Sequence, residues 1–410
     1  MALKFEYIIL GGGTTAGYTA KQMVDSGLKP GELCIISAES ILPMNRPPLS
    51  KHFLTKDEKT EDILVNDEAF YKENGITTLL NTEVTAVNFV KKTLKLKSAE
   101  YIEYQTLLIA TGSKIKKLNA KGNNLENIFY LRQKEHATKI KEVAGKSEKA
   151  LVVGGGFIGT EVAASINKLG LEVTLVLPEE KILSKFASPE IHQFFKQYFE
   201  KSGIKVITGI GVKAFTGNGK VENVLLENNT LIKTDMVVCG VGVEPNTGIF
   251  KGNEFVNISG GIEVDKYCMT NIPNVYAAGD VAMFPDNIFG GKRHIEHWDN
   301  AYRQGQNAAK NMLGEKTEYN YLPYFFSDVG EVSYEYFGDS SRADKHIVKG
   351  NVDEGNFSIL WLKDKILQAA FIMSERPERE REQVKEWIRN KTSLTTYMLQ
   401  GDAEKLQNRK

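Results

Sequence analysis

The sequence predicts an α/β protein with two dinucleotide-binding units, followed by a smaller α+β domain. The chain opens with an apolar strand, a glycine turn and a helical segment, and the same succession returns near residue 149. From Lys316 onward the pattern changes to crowded aromatic residues (319–337), strand-like segments and a charged helix. Strands that alternate with helices pair in parallel, so each of the first two units is expected to be a doubly wound sheet.

The individual elements follow from apolar runs and the turn residues that bound them. We expect strands at Tyr7–Leu10, Leu33–Ser37, Thr106–Ala110, Ala150–Val153, Val173–Leu177, Phe357–Leu362 and Ile366–Met373. We expect helices near Ala16–Ser26, Asn300–Met312 and Glu378–Arg389. The polar end of the chain, Gly401–Lys410, is expected to be frayed.

Composition limits the class of protein. The 410 residues suit two or three domains, and 52 basic residues balance 52 acidic ones. A net charge of zero argues against a protein that binds nucleic acid or an anionic membrane through its overall charge. Composition does not exclude a local basic face that binds an acidic protein partner. No apolar run approaches the roughly 20 residues of a membrane helix, and the first residues form a strand rather than a signal peptide. We therefore expect a cytoplasmic protein.

Three cysteines, Cys34, Cys239 and Cys268, are far apart in the sequence. They form no CxxC or CxxxxC pair, so a redox-active disulfide of the usual local kind is not expected. Cys34 and Cys239 lie inside apolar runs, and we expect all three to be core thiols.

The first glycine turn is Gly11-Gly12-Gly13-Thr14-Thr15-Ala16-Gly17. Gly11 permits the tight turn, Gly13 lets the backbone approach a pyrophosphate, and Ala16 allows close packing of helix on strand. The phosphates then meet the N–H groups at the start of the helix. Glu39, just after the second strand, can accept hydrogen bonds from an adenosine ribose.

The second turn is Gly154-Gly155-Gly156-Phe157-Ile158-Gly159. Glu179 and Glu180 follow the next strand, where a carboxylate suits the ribose of NADH and repels the 2′-phosphate of NADPH. One such turn is a weak signal, but two, each between strand and helix and each followed by an acid, indicate two bound dinucleotides.

Five further segments carry a family resemblance: Arg46-Pro47-Pro48-Leu49-Ser50-Lys51, Ala110-Thr111-Gly112, Gly240–Asn246, Ala277-Ala278-Gly279-Asp280 and Pro323–Asp328. Together with the glycine turns, they resemble the FAD- and NADH-dependent reductases that include bacterial ferredoxin and rubredoxin reductases, monodehydroascorbate reductase and apoptosis-inducing factor. The resemblance covers nearly the whole chain. It implies two Rossmann-like domains of the glutathione-reductase type: an FAD domain (1–118 and 246–316) and an NADH domain (119–245). A C-terminal α+β domain (317–410) would follow.

The resemblance also implies roles for single residues. Arg46 would contact the FAD diphosphate or ribose, Lys51 would lie near flavin N5, and Glu161 would pair with Lys51 and help to hold the nicotinamide carboxamide. Phe157 would cover the flavin until the nicotinamide displaces it, and Asp280 would bind the ribitol hydroxyls. The further expected FAD contacts are Val84, Ala110, Thr111, Gly112, Arg132, Gly279, Glu296, His297, Trp298 and Phe326, and Ile158 and Gly242 are expected to contact NADH.

The residues alone leave alternatives open at several of these positions. Phe157 and Phe326 also suit core packing, Arg132 a surface helix start, and Asp280 a turn. His294 and His297 could suggest a metal or an acid–base pair, but hydride transfer to flavin requires neither, so no metal is expected.

The function implied is hydride transfer from NADH to flavin N5, with electrons passing on to a separate acceptor. A ferredoxin- or rubredoxin-type protein is the first expectation for the acceptor. Monodehydroascorbate radical is the alternative, since the stretch Leu322–Gly338 and the loop Pro178-Glu179 look like that branch, although Asp328 stands where the branch carries an arginine. A third possibility is a protein similar to apoptosis-inducing factor, which would respond to NADH with slow turnover. Under each of these possibilities the protein is expected to be a monomer or a homodimer.

Overall fold

The computed structural model describes residues 3–56, 58–257 and 259–394, and the predicted frayed end Gly401–Lys410 lies outside them. The strands are β1 (Leu3–Leu10), β2 (Leu33–Ile36), β3 (Thr77–Leu79), β4 (Val84–Asn88), β5 (Thr93–Leu96), β6 (Tyr101–Ile109), β7 (Ser113–Ile115), β8 (Ile128–Tyr130), β9 (Lys149–Val153), β10 (Glu172–Val176), β11 (Lys205–Ile207), β12 (Val212–Thr216), β13 (Asn223–Leu226), β14 (Leu231–Lys233), β15 (Met236–Cys239), β16 (Val243–Pro245), β17 (Ile262–Glu263), β18 (Val275–Ala277), β19 (Ala282–Pro285), β20 (Lys292–His294), β21 (Tyr324–Val329), β22 (Val332–Gly338), β23 (Lys345–Asn351), β24 (Asn356–Lys363) and β25 (Ile366–Met373).

The helices are α1 (Thr14–Asp25), α2 (His52–Thr55), α3 (Thr60–Ile63), α4 (Glu68–Glu73), α5 (Lys134–Ala144), α6 (Phe157–Lys168), α7 (Pro189–Lys201), α8 (Trp298–Met312) and α9 (Glu378–Arg389). Short 3₁₀ turns occur at Pro47–Ser50, Gly248–Phe250 and Ser340–Arg342.

The chain forms two compact units, and each unit contains one of the two glycine turns. The first comprises Met1–Pro48, Glu58–Ile115 and Val243–Tyr321, and the second comprises Leu49–Asp57, Lys116–Gly242 and Leu322–Lys410. The second unit therefore contains both the segment expected to bind NADH and the C-terminal segment. The division into three domains at residues 118, 245 and 316 stays a prediction.

The first unit is built on a sheet in the order β3-β2-β1-β6-β5-β4, and β18 also pairs with β6. The central strands are parallel, with Ile9 opposite Ile35 on one side and Leu108 on the other. All three side chains are fully buried, as the continuous apolar strands of a sheet covered on both faces require. The carboxyl ends of β1, β6 and β18 meet at one edge of this sheet, where dinucleotides bind in such folds.

The second unit contains a parallel sheet in the order β11-β10-β9-β15-β8 and, nearer the chain end, an antiparallel sheet in the order β21-β22-β25-β24-β23. Helix α6 follows β9 directly and contacts both β10 and β21. Helix α9 packs on β25. This unit thus combines a doubly wound sheet with an α+β segment, as the change of sequence pattern predicts.

The predicted elements are present, with small differences at their ends. Strand β25 and helix α9 have the predicted bounds. Helix α1 begins two residues earlier than predicted because Gly13, in an extended conformation, is already its N-cap. Helix α8 likewise begins at Trp298, since the His297 side chain accepts a hydrogen bond from the Asp299 N–H and caps it.

The predicted core thiols are confirmed, because Cys34, Cys239 and Cys268 are buried and free. Burial raises the pKa of the Cys34 and Cys239 thiols to about 12 and that of Cys268 further. Over the described residues, no helix is long and apolar enough to cross a membrane.

Candidate functional site

The first glycine turn lies where β1 passes into α1. Gly11 has a φ of +132°, and a Cβ there would come within 2.1 Å of the Ala110 carbonyl oxygen. A Cβ on Gly13, at the helix N-cap, would only touch the Arg46 side chain, with the nearest nitrogen at an ordinary contact distance of 3.5 Å. Gly11 is thus required by packing inside the protein, whereas Gly13 is not, and its place at the helix start is where a phosphate is expected.

The predicted FAD segments of the first unit come together around this turn. A Cβ on Gly279 would lie 2.2 Å from Thr15 Oγ1, so the Gly279-Asp280 turn touches α1. Asp280 Oδ2 accepts a hydrogen bond of 2.8 Å from Ser113 Oγ. Trp298 Nε1 donates to Asn45 Oδ1 at 2.7 Å, which links the start of α8 to the loop before Arg46. Four segments that are far apart in sequence thus form one surface at the edge of the sheet.

Glu39 and Arg46 form a pair, with Arg46 Nη2 2.6 Å from Glu39 Oε1. The other carboxylate oxygen, Glu39 Oε2, is buried and has no hydrogen-bond partner. A buried carboxylate oxygen without a partner is costly, and a ribose hydroxyl would satisfy it. This geometry fits the expected adenosine ribose contact.

The second glycine turn repeats these features in the second unit. Gly154 has a φ of +108°, and a Cβ on Gly159 would lie 1.9 Å from the Gly154 carbonyl oxygen, so the start of α6 packs directly on the turn. No atom lies within 4 Å of a Cβ on Gly156, and this residue is the N-cap of α6. Space therefore adjoins the N-cap of α6, at the position expected for a pyrophosphate.

The remaining residues expected at the dinucleotides occupy turns and strand ends. Glu179 is exposed on the loop after β10, and Ile158 is exposed in the first turn of α6. Gly242 has a φ of +97° in the turn before β16, Val84 begins β4, and Arg132 follows β8 in the second unit. Thr111 Oγ1 donates to the Asn246 carbonyl at 2.8 Å, and Gly112 has a φ of +63°.

A cluster of charged residues lies in the second unit, with Lys51 between two carboxylates. Lys51 Nζ is 3.4 Å from Glu161 Oε1 and 2.9 Å from Asp328 Oδ2. The ammonium also lies 5.0 Å from the centre of the Phe326 ring. The pairing of Lys51 with Glu161 agrees with the expectation from the resemblance, whereas the contact with Asp328 was not foreseen.

Glu161 is held from several sides. Ser50 Oγ donates to its Oε2 at 2.5 Å and Ser327 Oγ donates to its Oε1 at 2.6 Å. Ser165, one turn further along α6, donates to the Ser50 carbonyl at 2.7 Å. Burial raises the pKa of Glu161 above its ordinary value, although Lys51 and the two serine hydroxyls oppose this. The carboxylate is thus fixed in position by neighbours rather than by solvent.

Sequence patterns did not single out the two serines as parts of this cluster. Ser50 and Ser327 each adjoin a predicted site residue, Lys51 in one case and Phe326 in the other. A serine beside a charged residue is usually solvated, so only the three-dimensional structure shows that both face the same carboxylate.

Phe157 begins α6 and belongs to a group of aromatic side chains. Its ring centre lies 4.6 Å from that of Phe325 and 6.1 Å from that of Phe186. Lys185 Nζ lies 5.6 Å from the Phe157 ring centre. Phe157 is half-buried, whereas Phe186 is fully buried, so Phe157 is at the edge of this aromatic core. Among the described residues, no group of three or more His, Cys, Asp or Glu side chains could hold a metal ion.

Two strand–turn–helix units with glycine at each helix N-cap, together with a largely buried lysine held by a carboxylate, are typical of an oxidoreductase that uses dinucleotides. Residues 5–305 match the family described as pyridine nucleotide-disulphide oxidoreductase, and the chain belongs to this family.

Curated relatives support this assignment over most of the chain. The chain is 36% identical to a monodehydroascorbate reductase of Pisum sativum over 410 residues, covering 93% of each chain. It is 36% identical to monodehydroascorbate reductase 3 of Arabidopsis thaliana, covering 90% of this chain and 89% of the relative.

Solved structures of related reductases share the fold. The ferredoxin reductase for the CYP199A2 system of Rhodopseudomonas palustris has a TM-score of 0.90 at 27% identity, covering 95% of this chain and 96% of that one. Putidaredoxin reductase in its covalent complex with putidaredoxin also has a TM-score of 0.90 at 27% identity, covering 96% and 95%. The NADH:rubredoxin oxidoreductase of Clostridium acetobutylicum has a TM-score of 0.79 at 26% identity, covering 98% and 100%.

The predicted family and fold class are therefore confirmed, and the chain is an NAD(P)H oxidoreductase that works with a flavin and a nicotinamide cofactor. The family description names a disulfide, whereas Cys34, Cys239 and Cys268 of this chain are buried and free in the structure.

Proposed function

We propose that the protein binds FAD in its first unit and NADH in its second, and passes electrons to a separate acceptor. The first candidate for this acceptor is an iron–sulfur protein of the ferredoxin or rubredoxin kind. The observation that carries this proposal is the construction of α6. This helix begins at the glycine turn and, one turn later, carries Glu161, which holds Lys51 at 3.4 Å. The glycine turn expected to bind the nicotinamide nucleotide and the carboxylate that pairs with Lys51 are therefore joined by one helix turn of α6.

The first unit suits FAD for three reasons. Gly13 is the N-cap of α1 beside the Arg46 guanidinium, which suits a pyrophosphate. Glu39 Oε2 lacks a partner that a ribose hydroxyl would supply, and Asp280 accepts hydrogen bonds from hydroxyl groups, as its bond from Ser113 shows. When bound, the flavin supplies a ring that accepts hydride from the nicotinamide and releases electrons one at a time. The N-terminus of α8, capped by His297, favours negative charge in its neighbourhood.

The side chains of the second unit would position the nicotinamide and stabilise charge. Lys51 is held by Glu161 and Asp328, so its ammonium is fixed without needing to reorganise when negative charge develops nearby. The Phe157 ring is half-buried and contacts the Phe325 ring at an angle of 51°, which suits a ring that moves aside for the nicotinamide. Both roles are proposals that rest on the family resemblance together with these contacts.

We propose NADH rather than NADPH as the donor. Glu179 is exposed on the loop after β10, where a carboxylate would accept from the ribose hydroxyls and repel a 2′-phosphate. Replacing Glu179 with Arg should lower the kcat/KM ratio of NADH to NADPH by about tenfold or more, because the repulsion becomes an attraction. An unchanged ratio would place the selecting residue elsewhere.

The cysteines of the chain and the related solved structures both bear on the identity of the electron acceptor. Within the described residues, no pair of thiols is placed to relay electrons, so they must leave for an outside molecule. Related structures are reductases of ferredoxin and rubredoxin, and one of them is linked to its putidaredoxin partner. These support a small iron–sulfur protein as the first candidate.

Monodehydroascorbate radical is the second candidate, and a specific observation favours it. The monodehydroascorbate reductases of Pisum sativum and Arabidopsis thaliana are 36% identical to this chain over nearly its whole length. Against it, the exposed end of the Lys51 cluster is the carboxylate of Asp328, which would repel an anionic radical.

Steady-state assays with NADH distinguish these candidates. Cytochrome c reduction that requires added ferredoxin supports the first, whereas NADH oxidation driven by ascorbate plus ascorbate oxidase supports the second. Slow turnover with both, and slow reoxidation by air, would instead indicate a protein similar to apoptosis-inducing factor. Cytoplasmic location and a monomeric or homodimeric state stay predictions.

A further inference from the structure

We propose that Asp328 selects electron acceptors by charge: its carboxylate disfavours anionic acceptors and favours cationic ones. This inference rests on the proposed function, because it concerns the acceptor side of the same reaction. It assigns a specificity-determining role to a residue that otherwise only accompanies Lys51.

The three charged groups of the cluster differ in their access to solvent. The side chain of Glu161 is 6% exposed and that of Lys51 10%, whereas that of Asp328 is 43% exposed. Asp328 Oδ2 lies 2.9 Å from Lys51 Nζ, so the two carboxylates share one ammonium. The order from the interior outward is therefore carboxylate, ammonium, carboxylate, and an approaching molecule meets Asp328 first.

Lys51 forms an ion pair with Glu161 in addition to its contact with Asp328. Lys51 offsets the charge of Glu161, which also receives hydrogen bonds from Ser50 and Ser327. The cluster of Glu161, Lys51 and Asp328 thus has two carboxylates for one ammonium, and the more exposed carboxylate is that of Asp328.

Asp328 stays ionised at neutral pH. Burial raises the pKa of its carboxyl group, but hydrogen bonds from Ser333 and Lys51 and the charges of Lys51 and His52 outweigh burial and lower the pKa below its ordinary value. Since the whole chain has a formal net charge of zero, no strong overall field masks a local charge at this position.

A purely structural role for Asp328 predicts a different response of the reaction rates to its substitution. If Asp328 only held Lys51 in place through a hydrogen bond, an asparagine would serve nearly as well and the charge of the acceptor would not matter. If its charge selects acceptors, the effect of removing it must have opposite signs for anions and cations.

Two small inorganic complexes test this directly, because both accept single electrons without bond formation. One NADH reduces two molecules of either hexacyanoferrate(III) or hexaammineruthenium(III), which yields NAD⁺ and one proton. The first complex is an anion and the second a cation. The ratio of their kcat/KM values cancels any change in the reaction with NADH that both assays share.

We compare Asp328→Asn and Asp328→Glu with Glu331→Gln as the matched control. Glu331 lies in the turn between β21 and β22 and pairs with Lys168, and both side chains are well exposed. Its replacement removes the same charge from the same hairpin without touching Lys51. The Asn variant should raise the anion-to-cation ratio about 5- to 50-fold, with the larger value at low salt, since a trivalent ion interacts threefold more strongly than a unit charge. The Glu variant and the Glu331→Gln control should keep the ratio of the unmodified protein.

An unchanged ratio in Asp328→Asn, or an equal change in Glu331→Gln, would overturn the inference. The comparison of the two acceptors requires that NADH reduces the bound flavin. This reduction is measured separately, in the absence of any acceptor. If NADH fails to reduce it, the proposed function fails; if NADH reduces it and the ratio does not respond to Asp328, only the charge selection fails.

Discussion

Replacing Lys51 with Met should destabilise the protein through Glu161. The variant keeps an unbranched side chain of nearly the same length and removes its charge, which leaves a buried carboxylate without its cation. Asp328 loses the same partner, but water can replace it because that side chain is 43% exposed. The effect therefore comes mainly from Glu161.

The size of the effect follows from the 3.4 Å between Lys51 Nζ and Glu161 Oε1. At an effective dielectric constant of about 20, two unit charges at this distance attract by about 5 kcal/mol. Part of this is offset because the ammonium no longer has to be buried, and Ser50 and Ser327 still donate to the carboxylate. We expect a net loss of about 3 kcal/mol in the free energy of unfolding near neutral pH.

The loss should depend on pH. Burial already raises the pKa of Glu161, and without Lys51 it should rise further. A raised carboxyl pKa favours the folded state at low pH, and this advantage disappears as the pH rises through the folded-state value. The variant should therefore be most destabilised at alkaline pH, and its deficit should shrink by up to about 1.4 kcal/mol for each pH unit on acidification.

Urea unfolding followed by circular dichroism at about pH 6 and about pH 8 measures this dependence. The double variant Lys51→Met/Glu161→Gln is the control, because it removes the buried charge together with its partner and should recover most of the loss. A deficit below about 1 kcal/mol at both pH values, or one that the double variant does not relieve, would show that the two groups are not a buried ion pair.

Three further expectations concern the dinucleotides and the thiols. Gly156→Ala should fold normally, because no atom lies within 4 Å of the added Cβ and the φ of −83° suits alanine. Its added methyl group should nevertheless occupy the space of the pyrophosphate and weaken NADH binding about tenfold or more, as measured by equilibrium titration. Equal affinity of the variant and the unmodified protein for NADH would mean that the phosphates do not approach Gly156. Glu39→Gln should weaken FAD binding to the apoprotein by about 10- to 100-fold, since a charge-assisted hydrogen bond to the ribose is lost, and unchanged retention of FAD would remove Glu39 from the site. The thiols of Cys34, Cys239 and Cys268 should react slowly with iodoacetamide at about pH 8, because only about one in ten thousand molecules of a thiol with a pKa near 12 is ionised at this pH. Rapid labelling accompanied by loss of turnover would contradict a structural role for these thiols.

The sequence predicted most of the fold because its local signals agree with one another. The runs Tyr7–Leu10 and Ala150–Val153 are apolar throughout, as parallel strands buried on both faces must be, and each is followed by a turn that glycine alone can form. The helix starts at Thr14 and Trp298 were missed by two residues because the caps, a glycine and a histidine, are not the preferred serine, threonine or aspartate.

The charged cluster was only partly predictable. The pair Lys51 and Glu161 was expected from the resemblance, whereas the contact of Lys51 with Asp328 joins residues 277 positions apart that no periodic pattern connects. The pairing of Arg46 with Glu39, which leaves one carboxylate oxygen without a partner, likewise depends on the path of a loop. Contacts between residues far apart in the sequence arise from the tertiary fold. Sequence patterns therefore identify candidate site residues but do not show which of these residues are in contact.

The central claim is that NADH delivers hydride to a flavin held by this chain. Anaerobic stopped-flow mixing of the purified flavoprotein with NADH, and separately with NADPH, measures it at the flavin absorbance near about 450 nm. The account predicts fast bleaching with NADH and much slower bleaching with NADPH. Purified protein without flavin, or a bound flavin that neither nucleotide reduces, would contradict it.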